Sequence, residues 1–145
     1  MIKPYSSAHK KELIEIFKKN IPSYFALKEL AYFEDYLERF SETYFTIFNG
    51  NNIAGGIGFQ ISTTKNEGSI TWVFLNPVAM NKGLGRTASE YCIERIKDNK
   101  SIAKIMVRTS QFANVFFEKL GFKLIHKIDD YWAEGLDLFE MQLDI

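Results

Sequence analysis

The stretch of the chain best equipped for chemistry is Asn81-Lys82-Gly83-Leu84-Gly85-Arg86. It follows an apolar, β-branched and aromatic run, Ile70 to Leu75, across a turn at Asn76-Pro77, and it leads into residues with helical periodicity. Strand, glycine loop and helix in that order make an anion site. The first N–H groups of a helix have no intrahelical partner, and the aligned peptide dipoles add partial positive charge there. Gly83 and Gly85 carry no Cβ, so a phosphate can approach the backbone closely, with Lys82 and Arg86 adding charge on either side. At either glycine an added side chain is expected to intrude on the anion or to strain a backbone with φ > 0.

Such a loop needs a scaffold. The 145 residues are 46% hydrophobic and 15% aromatic, enough to bury a core within one domain spanning residues 1–145. The 18 basic and 18 acidic residues cancel, so no overall field recruits nucleic acid or a membrane surface. One cysteine, Cys92, excludes an intramolecular disulfide framework, Met1-Ile2-Lys3-Pro4 lacks the apolar core of a signal peptide, and no run could span a bilayer. The sequence thus predicts a soluble, cytoplasmic protein.

Ile2 to Tyr5 reads as a short edge strand, because Pro4 is tolerated only at an edge. Leu13, Ile14, Phe17 and Ile21 recur at helical spacing after Ser6-Ser7, which suit a cap. Ile21-Pro22-Ser23 ends that helix. Phe25, Leu30, Phe33, Leu37 and Phe40 predict a second, with Glu29, Glu34, Asp35 and Glu38 between them. Thr43 to Phe48 and Ile53 to Ile61 flank Asn49-Gly50-Asn51-Asn52 and predict an antiparallel hairpin. Gly55, Gly56 and Gly58 in its second arm mark a bulge, or a close approach of another chain or a ligand. After a polar turn, the strand ending at Leu75, the helix carrying Ala88, Tyr91, Cys92 and Ile96 on one face, and the alternating strand from Ala103 to Thr109 compose a right-handed parallel βαβ unit. Gln111 to Leu120 reads as a short helix stopped by Gly121. Phe122 to Ile128 and Leu136 to Leu143 read as the last strands, joined by a loop from Asp129 to Gly135.

With these elements in this order, the chain resembles the GCN5-related N-acetyltransferase (GNAT) family over essentially its full length. Leu75-Asn76-Pro77 followed by Gly83-Leu84-Gly85 is similar to that family's pyrophosphate loop, V-x-P then R/Q-x-x-G-x-G/A, and Ala113 to Phe122, ANVFFEKLGF, to its A-x-x-x-Y-E-K-L-G-F signature. The resemblance implies an α/β (α+β) domain: a mixed, mostly antiparallel sheet of about six to seven strands, flanked by about four helices. Two parallel strands are expected to splay near Leu75 and Thr109. It also implies transfer of an acetyl or larger acyl group from coenzyme A to an amine, with acetyl-CoA as co-substrate. The backbone N–H groups of Asn81, Lys82, Gly83, Leu84, Gly85 and Arg86 would then hold the pyrophosphate. Pantetheine would lie between the splayed strands, bonded to main chain of Val73 and Leu75 like an added strand. An N–H near Phe74 or Leu75 would stabilise the oxyanion, a contribution of roughly a few kcal/mol. Asn114, Phe117 and Lys119 would border the thiol end and the rest of the cofactor.

Two positions depart from the family pattern. Met80 stands where the loop usually carries arginine or glutamine, which leaves Lys82 and Arg86 as the cations. Phe117 stands where many members place the tyrosine that protonates the departing thiolate. A thiol of pKa roughly 8.5 is a tolerable leaving group, so Ser110, a water or the attacking amine can supply the proton. An ammonium acceptor of pKa about 10 must first lose a proton, which calls for a base or a water chain ending at a carboxylate. Glu67 is one candidate, and Glu34 or Asp35 on the second helix are candidate acceptor contacts; each residue of this kind is more often just a solvated surface acid.

Three functions stay open on sequence: acetylation of a small-molecule amine, acetylation of a protein or peptide, and a catalytically idle domain that binds acyl-CoA as a sensor. Gly83-x-Gly85-x-x-Ala88 also fits a dinucleotide fingerprint, but Pro77 to Lys82 separate strand from glycines, and no acid lies between Ala103 and Thr109 to meet a ribose. His9 and His126 lack companions at ligand spacing, so no metal site is expected. Tyr131-Trp132, in an acidic loop, either lids the acceptor pocket or packs a homodimer.

Overall fold

In the computed structural model, which describes residues 1–145, the strands are β1 (Ile2–Pro4), β2 (Tyr44–Asn49), β3 (Asn52–Ser62), β4 (Glu67–Leu75), β5 (Lys104–Thr109), β6 (Lys123–Ala133) and β7 (Leu136–Asp144). They form one seven-stranded sheet in the order β1-β2-β3-β4-β5-β7-β6. Every neighbouring pair is antiparallel except β4 and β5. The mixed, mostly antiparallel sheet implied by the resemblance is the one observed.

Helices α1 (Lys10–Lys18) and α2 (Glu29–Arg39) serve one core; α3 (Leu84–Lys97) and the short α4 (Asn114–Lys119) serve another. Leu13, Ile16 and Phe17 of α1 and Phe33, Tyr36 and Leu37 of α2 meet Tyr44 and Phe74 in an aromatic cluster. Ala88, Cys92, Ile93 and Ile96 of α3 close on Ile57, Ile70 and Ile105. Both amphipathic stripes follow the 3.6-residue period that the sequence displays.

The parallel pair is the part of the fold that matters most for function. β4 and β5 are paired only at Glu67–Lys104, Gly68–Ile105 and Ser69–Met106. Beyond Ser69 each strand keeps its other neighbour: β4 stays on β3 through Leu75, and β5 stays on β7 through Thr109. The divergence has a local cause. Opposite Ile57 of β3 stand two residues of β4, Trp72 and Val73, and Trp72 has φ +43°, a conformation rare for a bulky side chain. That bulge bends β4 away from β5 and opens a wedge in the sheet.

The glycines of β3 belong to this device. The register shifts between Gly56 and Gly58, as a bulge requires, and what approaches these two is the Tyr44 ring, a Cβ on Gly58 lying 2.6 Å from Tyr44 Cδ1, whereas a Cβ on Gly55 would meet the Phe74 carbonyl of β4. Close approach is therefore by the protein's own core and neighbouring strand.

Several boundaries differ from the sequence expectation, among them the end of α1, which stops at Lys18 and not at Ile21. α2 begins at Glu29, not near Phe25, because the Asn20 carbonyl takes the N–H groups of Tyr24 and Phe25 in a tight turn. The fourth helix begins at Asn114, since Ser110 Oγ accepts from Phe112 N–H and holds the preceding residues in a turn. The loop expected from Asp129 to Gly135 is mostly strand: β6 runs to Ala133, its irregularity absorbed at Asp130, φ +53°, where the backbone N–H donates to Asp137 Oδ1.

Candidate active site

The wedge between β4 and β5 is a cavity of about 890 Å³. Ser69 to Phe74 form one wall and Lys104 to Ser110 the other. At its α1–α2 side stand Asn20, Tyr24, Phe25 and Glu29; at its far side stand Phe117 and Trp132. The Trp132 Nε1–H donates to the Thr109 carbonyl at 3.2 Å, so the indole is a fixed part of the wall.

The main chain of β4 is turned to serve this wedge. Asn76 N–H donates to Ala54 C=O, so the next pair along, Leu75 with Gly55, is one whose backbone groups do not bond across the ladder. Leu75 N–H and C=O therefore face away from β3, on the side of the wedge. The carbonyl accepts from Asn20 Nδ2 at 3.0 Å. Phe74, one residue earlier, directs its main chain at β3 and its ring into the aromatic core. Val73 lines the cavity directly.

The glycine loop has the geometry of an anion cradle. Asn81 has φ +64° and Gly83 φ +82°, on either side of Lys82. Gly83 is the N-cap of α3, makes no side-chain cap, and is followed by a first turn without acids, so the N–H groups of Leu84, Gly85 and Arg86 remain unneutralised. A Cβ on Gly83 would meet nothing within 4 Å, which leaves room for a phosphate at the backbone. Gly85 is different from the sequence expectation. It is an ordinary helical residue, and its added Cβ would lie 3.3 Å from the Phe116 ring, so glycine is needed there for packing and not for a positive φ. Lys82 is exposed and without an acidic partner; Arg86 Nε lies 3.2 Å from Glu90 Oε1. Seen from the chain's own atoms, a pyrophosphate fits this loop.

The remaining sequence candidates fall into two groups. Ser110 is buried, lines the cavity beside Phe117, and keeps its hydroxyl proton free while Oγ accepts from Phe112 N–H. Glu67 also lines the cavity, but at the paired end of β4, its Oε2 3.7 Å from Lys104 Nζ. Seven intervening residues of extended strand, roughly 26 Å, separate it from Leu75. Asn114 is engaged with Glu118 at 3.1 Å and Lys119 is exposed in the last turn of α4, both outside the cavity wall. Glu34 and Asp35 are outside it too, Asp35 held by Arg39 at 2.9 Å on the surface.

Sequence reasoning missed Asn20 and Glu29. Glu29 is only 6% exposed, and its Oε2 accepts from Ala26 N–H at 2.7 Å. Burial raises its carboxyl above the ordinary 4.5, against the opposing pull of that N–H and of the Lys28 cation. The signal was available: residues 29, 33 and 36 fall at helical spacing, which puts a carboxylate on the stripe that Phe33 and Tyr36 bury.

A family profile described as an Acetyltransferase (GNAT) domain matches residues 7–145. The chain belongs to the GNAT acetyltransferase family. A comparison with curated protein sequences finds no match. Solved structures share the fold at low identity. Ard1 of Thermoplasma volcanium superposes with TM-score 0.83 at 13% identity, covering 100% of this chain and 97% of that one. The ribosomal-protein-alanine N-acetyltransferase of Brucella melitensis gives 0.78 at 16%, covering 100% and 99%. The yncA protein of Salmonella typhimurium, solved with its cofactor acetyl-CoA, gives 0.74 at 17%, covering 99% and 92%.

Proposed function

We propose that the protein transfers an acetyl group from acetyl-CoA directly to the primary amine of a small molecule. The observation that carries this reading is the wedge itself: β4 and β5 part beyond Ser69, and Leu75 turns its main chain to the side that opens. Such a wedge accepts an extended pantetheine as a substitute strand, and the cradle from Asn81 to Arg86 takes the pyrophosphate. In this reading Val73 and Leu75 hold the arm by main chain, and the Leu75 N–H faces the thioester oxygen where negative charge develops. Phe74 contributes by backing that segment with the aromatic core, while Asn114 and Lys119 border the nucleotide side and Phe117 the sulfur. Ser110 is a hydroxyl of the cavity wall that can return a proton to the thiolate, and Glu67 can act only through a chain of waters.

The rate enhancement rests chiefly on holding a neutral amine beside the thioester, which alone is worth several kcal/mol in well-oriented reactions, roughly 7–11 at the upper end. The co-substrate places the reaction, on this reading, in the cytoplasm; no helix is long and apolar enough to cross a membrane.

The test is calorimetry with acetyl-CoA followed by thiol release over a panel of polyamines, aminoglycosides, aralkylamines and lysine or N-terminal peptides. Turnover of small amines is the expected result. Turnover of peptides alone would move the acceptor to proteins, and acetyl-CoA binding without any thiol release would make the domain a sensor.

A further inference from the structure

We propose that Glu29 and Asn20 form a seat for a protonated primary amine, rimmed by Tyr24, Phe25 and Trp72, and that this seat selects a cationic acceptor. The inference rests on the acyl-transfer reading above and deepens it. Six charged side chains line the cavity. Glu67 is paired with Lys104 at 3.7 Å and Arg108 with Glu140 at 3.7 Å, while Lys65 is itself a cation. Glu29 is the one carboxylate in the wall with no cation within ion-pair distance, and it is 94% buried. An uncompensated carboxylate at that depth costs free energy unless something charged or donating meets it.

Its orientation is fixed by the chain. Oε2 is committed to Ala26 N–H, and Oε1 has no protein partner, yet it is not sealed in the core, and Glu29 is a residue of the cavity wall. Asn20 repeats the arrangement. Its Nδ2 donates at 3.0 Å to both Ile16 C=O and Leu75 C=O, which fixes the amide so that Oδ1 points elsewhere. Asn20 is 1% exposed, lines the same cavity, and leaves Oδ1 as a second unmatched acceptor that is not sealed from it. Two acceptors of this kind call for a donor with several N–H groups.

Aromatic surroundings favour an organic ammonium. Phe25 stacks on Trp72 at 6.1 Å, with Tyr24 beside them in the cavity wall, and aromatic faces attract a cation while covering its alkyl stem. The seat also lies at the right end of the cleft. Asn20 holds the Leu75 carbonyl and Phe25 packs on Trp72 and Phe74, so the ammonium would stand beside the stretch of β4 that the thioester reading assigns to the acetyl group, and it becomes the neutral nucleophile by passing one proton to the Glu29 carboxylate.

The experiment is calorimetric titration of the full chain with 1,5-diaminopentane and phenethylamine, with 1,5-pentanediol as the neutral comparator, and in parallel with acetyl-CoA. The native protein is expected to bind both amines and to ignore the diol. Glu29→Gln, which keeps an acceptor for Ala26 N–H, is expected to weaken amine binding by about tenfold or more, as loss of a charge-assisted contact does, with acetyl-CoA affinity unchanged. Glu94→Gln, on the exposed side of α3, should leave amine affinity as it is. Equal amine affinity in native and Glu29→Gln proteins overturns the seat. Should that variant not fold, the native titrations decide, since diol binding as tight as diamine, or no amine binding at all, overturns it as well. Failure of acetyl-CoA to bind the native protein would instead overturn the acyl-transfer reading, and that titration is read separately.

Discussion

The Tyr44 hydroxyl donates to the Trp72 carbonyl at 2.7 Å. Tyr44 is fully buried on β2, and Trp72 is the left-handed residue of the β4 bulge, so one hydrogen bond spans β3 to pin the distortion that opens the wedge. Burial also raises the Tyr44 phenol well above its usual pKa, which keeps it a neutral donor. Tyr44→Phe removes the donor and strands a part-buried carbonyl. Denaturant unfolding should show a loss of about 1–3 kcal/mol. An unchanged midpoint would mean that the bulge holds without it.

Gly83 offers a clean probe of the anion cradle. An aspartate there meets open space and is a favoured helix N-cap, and aspartate tolerates a left-handed backbone better than most residues. Gly83→Asp should therefore lose only about 1–3 kcal/mol of stability to the left-handed backbone and still unfold cooperatively, while losing most acetyl-CoA affinity to like-charge repulsion. Calorimetry that found the native affinity in this variant would move the pyrophosphate elsewhere.

Glu29 carries a pH signature. Its native carboxyl titrates above the unfolded value of 4.5, so between those two values the native state binds more protons than the unfolded chain. Stability from this group is fullest below the unfolded value and declines as the pH rises through the raised one. Melting curves for native and Glu29→Gln proteins across that range should show the native advantage shrinking as pH increases. A difference that stays flat, or grows with pH, contradicts the burial described for this side chain.

Phe117 lies edge-on to Phe116 at 5.0 Å and to Phe122 at 5.7 Å, beside Ser110 in the cavity wall. Phe117→Tyr adds a phenol at the position where the family usually has one. Thiol release with the best amine of the panel should be equal or faster, provided that the hydroxyl finds a partner. Abolished turnover with acetyl-CoA still bound would show that the bare ring itself is required.

Cys92 should be silent in any thiol assay of the folded protein. It has no exposed surface, and burial pushes its thiol up to about 12. An aromatic disulfide reagent should label it only after unfolding, so release of coenzyme A can be followed without correction. Rapid labelling of the native chain would show that α3 opens.

What the sequence determined by itself was local. The period of two in Ala103 to Thr109, the period of 3.6 in α1 to α3, and glycines after a strand are written in adjacent residues, and they sufficed for the helices and the βαβ unit, while the mixed sheet followed from the family resemblance. The demand for glycine at 83 and 85 was also legible, though its reason differed, because a φ of +82° and a 3.3 Å contact with Phe116 leave the same letter in the sequence. Only the tertiary structure decided which carboxylates face the cleft. Glu29, Glu34 and Asp35 share one helix and one chemistry; a rotation about the helix axis buries the first and leaves Asp35 on the surface with Arg39. Asn20 could not have been singled out either, since its partner Leu75 arrives through a sheet assembled from distant segments. Helical spacing could place Glu29 on the buried stripe, but the open space left between two strands that keep other neighbours arises from packing among residues far apart in the chain, and no local pattern encodes it.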